Sequence, residues 1–177
     1  MIAHLAARGH RTVGVYPGAP YPGALPGDEM ALRIRGMAKA ARQHGVELQF
    51  LRPSSYEAPG INEAIRDLIR RGCPCTAVAA LTDTYAQLVL NELEHGGVAV
   101  PDRVSLVGYD DQSFDAFLPV PLTSVRQPVA EIARVLARVV NEVEPGRPIR
   151  LRRQLAPVLI ERASVRDLRH PVHRVRP

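Results

Sequence analysis

Short apolar runs alternate with amphipathic stretches through most of this 177-residue chain, and that alternation restricts the fold more than any other feature. Residues 12–16 (TVGVY), 46–51, 76–81 (TAVAAL) and 104–109 (VSLVGY) read as strands. Between them, apolar residues recur at helical spacing: Ile34, Met37, Ala38 and Ala41; Ile61, Ala64, Ile65, Leu68 and Ile69; Tyr85, Leu88, Val89 and Leu93. Ile2, Leu5 and Ala6 share a face of a shorter helix. Gly9, Gly45, Gly72 and the pair Gly96-Gly97 stand where these helices end. Asp28 is a natural N-cap for the second helix, and a capping role would account for Asp83 in the same way. Nearly continuous apolar strands separated by amphipathic helices imply an α/β fold, a doubly wound parallel sheet with helices on both faces.

The first four strands define a compact unit over residues 10–118. The rhythm then changes. Pro119, Pro121 and Pro128 bracket a short strand at 122–126, and Pro128 suits the first turn of a helix reaching about residue 144. Val129, Ile132, Ala133, Leu136, Val139, Val140 and Val143 form its stripe. Residues 146–164 hold one or two returning strands, and 165–177 read as a basic tail.

The formal charge of +5 is unevenly placed. Residues 147–177 hold nine Arg against two acids, a net of +7, and residues 1–146 a net of −2. The folded body is nearly neutral, so the basicity reads as a solvated tail and not as a specific DNA reader. No Trp and few aromatics argue against a stacking platform for single strands. Cys73 and Cys75, spaced C-P-C, match neither a zinc site nor a C-x-x-C redox pair. With no disulfide framework, no signal peptide and no membrane-length apolar run, a cytoplasmic location away from membranes is expected.

In an open parallel sheet, ligands bind beyond the carboxyl ends of the strands. The residues leaving the strands are Tyr16-Pro17, Arg52, Thr82-Asp83 and Asp110-Asp111. Carboxylates that accept hydroxyl hydrogen bonds, with an Arg that donates in a fork, suit a polar, hydroxyl-rich small molecule. Two adjacent carboxylates repel, so one of Asp110 and Asp111 is expected to meet a ligand or a donor. Arg33 sits at the edge of a buried helical stripe and needs a partner. No nucleophile motif, phosphate loop or H-x-x-x-H pair is present, and the only lysine, Lys39, lies mid-helix. Neither enzyme activity nor a cofactor or metal is expected.

Several stretches resemble the LacI/GalR family of bacterial regulators. HLAARGHRTVGVY is similar to the segment with which these proteins enter their C-terminal lobe. RIRGM, from Arg33, resembles the family's R-x-x-G-aromatic element. VAVPDRVSLVGYDDQSFDAFLPVPLTSVRQPV, residues 98–129, is similar almost position for position to the family signature, and LAPVLIERAS resembles its ending. The resemblance implies two α/β lobes, like periplasmic sugar-binding proteins, holding a sugar-like effector between them to control DNA binding by a helix-turn-helix domain. It implies a homodimer, with residues 84–95 in the interface. It assigns 119–145 to an incomplete N-terminal lobe and predicts that 122–126 and 128–144 are poorly packed or paired with another chain. The head, the hinge and most of that lobe are expected ahead of Met1. Carried over by position, Arg33, Asp110, Gln127 and Thr82 (where many members have Asn), together with Asp83 at the same strand end, are the candidate ligand contacts, with Tyr56 or Ser55 near the family's stacking aromatic. A stand-alone sugar-binding protein without DNA binding is the alternative.

Overall fold

The computed structural model describes residues 1–17, 29–51, 53, 58–142 and 153–170. The chain runs α1 (Ile2–Ala7), β1 (Thr12–Tyr16), α2 (Glu29–His44), β2 (Glu47–Phe50), α3 (Ala58–Arg70), β3 (Ala77–Ala80), α4 (Asp83–His95) and β4 (Ser105–Asp110). A 3-10 turn (Ser113–Phe117), β5 (Thr123–Arg126), α5 (Val129–Glu142) and β6 (Val158–Ile160) follow. Six strands form one sheet in the order β2-β1-β3-β4-β5-β6, parallel except for the β5–β6 pair.

The period-2 alternation of the strands sorts their side chains into two cores. On one face Val13, Val15, Ala77, Ala79, Leu81 and Val107 pack with residues of α1 and α2. On the other, Val78, Ala80, Leu106 and Leu122 pack with Ile65 and Leu68 of α3 and with Val89, Leu90 and Leu93 of α4. Helices therefore cover both faces, as the sequence pattern implies. Each fully buried Leu contributes roughly 1.5–3 kcal/mol over leaving it in water.

Two expectations fail. Residues 122–126 are not poorly packed. β5 is the fifth strand of the main sheet, in parallel register with β4, and Leu122, Thr123 and Ser124 are fully buried. A strand beside an open sheet edge satisfies its backbone groups by pairing there, whatever else its helix lacks. Nor is 165–170 a free tail. Ser164 Oγ donates to Leu106 O and accepts from Thr123 N, Arg166 N donates to Ser105 Oγ, and Leu168 N donates to Arg8 O. His10, fully buried, has Nε2 at 3.0 Å from Arg166 O and Nδ1 at 2.9 Å from Thr76 Oγ1. Most of these bonds join a backbone group to a hydroxyl or an imidazole, so a basic composition does not prevent them. Residues 171–177 lie outside the described residues, as does Asp28.

Candidate ligand-binding site

The carboxyl end of β4 carries the chemistry. Asp110 and Asp111 both adopt positive φ, 115° and 53°. Such values are costly for non-glycine residues and persist only where the surroundings impose them. The partners do impose them. Asp111 N donates to Ser124 Oγ at 3.1 Å, while its carboxylate takes Arg126 Nε at 2.5 Å and Arg162 Nη2 at 2.6 Å. Burial alone would raise the Asp111 pKa, but the hydrogen bonds from Arg162 and Arg126 outweigh it and hold the carboxyl below its usual range.

Asp110 faces a different set. Gln127 Nε2 donates to Asp110 Oδ1 at 2.7 Å, and Arg33 Nη2 stands 3.5 Å from the same oxygen. Burial raises the Asp110 pKa despite the opposing effects of Gln127 and Arg33. Arg33 is pinned from three sides. Its Nη1 donates to Leu81 O at 2.5 Å, its guanidinium carbon lies 3.9 Å from the centre of the Tyr109 ring, and Glu29 is 3.6 Å away. The adjacent carboxylates thus separate their tasks: Asp111 anchors the turn, and Asp110 joins Arg33 and Gln127 in a polar cluster. Beside it opens a cavity of about 450 Å³ lined by Asp110, Asp111, Arg126 and Gln127, by Pro128 and by the start of α5, including the apolar Val129 and Ala130.

The remaining candidates sit elsewhere. Thr82, not Asp83, is the N-cap of α4, its Oγ1 accepting from Tyr85 N at 3.2 Å. The capping expected of Asp83 is corrected accordingly: Asp83 is the first helical residue and is fully buried. Its Oδ1 accepts from Ser124 Oγ at 2.6 Å and its Oδ2 from Gln112 N at 3.0 Å, so it braces the loop from below and does not line the rim. Gly108 makes room for it, since a Cβ there would lie 2.0 Å from Asp83 Oδ1. Tyr56, Ser55 and Arg52 lie outside the described residues. Tyr16, at the end of β1, is fully buried against Tyr85, and burial pushes its hydroxyl up to about 12.

Sequence reading missed Tyr109, Ser124 and Arg162. The alternation along TSVR could have flagged Ser124 as an inward hydroxyl on a buried strand. Nothing local marks Arg162, whose partner is 51 residues away. Among the described residues no group of His, Cys, Asp and Glu has the arrangement of a metal site.

The periplasmic binding protein-like domain model matches residues 2–165. The chain belongs to this family. The regulator reg1 of Streptomyces lividans is 31% identical over 151 residues, covering 83% of this chain and 43% of the relative. The repressor PurR of Photobacterium profundum is 26% identical, covering 93% and 49%. A sugar-binding LacI-family regulator from Escherichia coli, solved with phosphate, is 25% identical with a TM-score of 0.73, covering 94% of this chain and 59% of that one. The chain spans about half the length of the curated relatives it matches. These relatives are transcriptional regulators. Among the described residues no helix is long and apolar enough to cross a membrane.

Proposed function

We propose that this chain is the effector-sensing part of a LacI-type transcription regulator, gripping a small hydroxyl-rich solute through Arg33, Asp110 and Gln127. The observation that carries the reading is the convergence of these three side chains, from α2, β4 and the end of β5, with Asp110 and Gln127 lining an open cavity. A carboxylate accepts from two sugar hydroxyls and Arg donates to others, so the cluster offers both halves of sugar recognition. The sugar-binding regulator among the structural relatives supports that class of solute. Thr82 could add its hydroxyl only by sharing its cap bond, and Tyr56 is kept as the stacking candidate. α5 and its flanks belong to a second lobe that closes over the solute, and the solute must favour one lobe arrangement to act on DNA. A homodimer joined through α4 and a helix-turn-helix head complete the device.

Titration of the chain with a panel of pentoses and hexoses, followed by amide chemical shifts, tests the reading. Saturable shifts clustered at 108–112 and 126–128 are expected. Shifts confined to the opposite, amino end of the sheet contradict it.

A further inference from the structure

Beneath the rim lies a group that ligand binding does not explain. Asp115, in the 3-10 turn, is fully buried, and neither carboxyl oxygen receives a hydrogen bond from an N–H or hydroxyl of the described residues. The acidic group set against it is the equally buried carboxyl of Asp83. Two buried carboxyls set against each other repel strongly unless one of them carries a proton. Both Asp83 oxygens already accept, from Ser124 and Gln112, whereas no donor among the described residues reaches either oxygen of Asp115. The proton therefore belongs on Asp115, donated into a remaining lone pair of Asp83.

We propose that Asp115 and Asp83 share one retained proton, and that this proton holds the turn after β4, and with it Asp110 and Asp111, in place. The turn is built for such a role. Asp83 ties Gln112 N and Ser124 Oγ, Ser124 ties Asp111 N, and Leu122 N donates to Asp115 O at 2.9 Å. The charged groups around the pair do not neutralise it. Arg162, after β6, has Nη1 4.0 Å from Asp115 Oδ2 but spends Nη2 on Asp111. Asp111 and Asp110, at the end of β4, add negative charge, and β5 contributes only the neutral Ser124. Burial, then the Asp83 hydrogen bond and charge, push Asp115 up to about 8. Loss of the proton leaves two buried anions in contact, and the turn must open to hydrate them. The inference concerns the turn and stands whether or not a solute binds above it.

The folded chain holds one proton more than the unfolded chain between the ordinary Asp pKa of 3.8 and about 8. Rising pH across that window therefore weakens folding, by up to about tenfold in the equilibrium constant per pH unit. Asp115→Asn keeps a donor toward Asp83 but cannot titrate. Urea unfolding of both proteins from about pH 5 to about pH 9 should show the variant's curve flatter by one proton. The Gln112 amide, corrected for intrinsic exchange, should lose protection at the alkaline end in the wild type only. Parallel stability curves for the two proteins overturn the proposal. If the variant does not fold, infrared spectra of the wild type decide. A protonated carboxyl band that persists near neutral pH and vanishes on unfolding is expected, and its absence overturns the proposal equally.

Discussion

β5 and α5 are joined by two residues, yet they experience opposite environments. Leu122, at the entry to β5, is fully buried between sheet and helices, and the strand is hydrogen-bonded on both sides. α5 carries an apolar stripe, but Val129, Leu136 and Val140 are 64%, 58% and 73% exposed, and among the described residues α5 makes none of the substantial packing contacts between elements. Apolar residues do not stabilise by being apolar; they stabilise when a partner removes them from water. The sheet edge supplies that partner for β5, and the described residues supply none for most of α5.

That contrast can be broken first at its core. Leu122→Ala should cost about 2–5 kcal/mol in urea unfolding, and Leu136→Ala about 0.5 kcal/mol or less. Equal losses would mean that α5 is packed in solution. Next, Arg162→Met removes a donor to Asp111 and a second to Leu122 O, and should cost about 1–3 kcal/mol while leaving α5 untouched. A pH test probes the far end of the sheet. Burial holds His10 below its ordinary pKa of 6.5. The unfolded chain therefore binds the proton more readily, so this contribution is complete above about pH 6.5 and is lost as pH falls below it. His4 shifts the same way, also through burial. His10→Gln should flatten the acid limb of the stability curve, and an unchanged limb would place the loss elsewhere. The smallest effect is dynamic. Amides of α5 should exchange with little protection while those of β5 are strongly protected, and strong protection throughout α5 in a monomer would contradict its unpartnered state.

Much of this was legible in the sequence, for identifiable reasons. Period-2 runs and 3.6-period stripes are local, so the first four strands and all five helices could be read within a residue or two at most ends. Gly45, at φ 62°, and Gly72, at φ 72°, mark helix ends because left-handed backbone favours glycine. The strand-end rule pointed to Asp110, and Arg33 joined it through the family resemblance. What stayed hidden is non-local. The place of β5 depends on an open edge beside β4, and the anchoring of 164–168 depends on backbone groups that no composition reveals. Asp83 looked like a cap because it begins a helix; the glycine at 108 that lets it sink beneath the turn is 25 positions away.

The central claim is that Asp110, steadied by Arg33 and Gln127, grips a hydroxyl-rich solute. Calorimetric titration of wild type and Asp110→Ala with the best-binding sugar of the panel tests it most directly. Asp110→Ala should bind more than about tenfold more weakly while unfolding at nearly the same urea concentration. Undiminished sugar affinity in that folded variant would contradict the account.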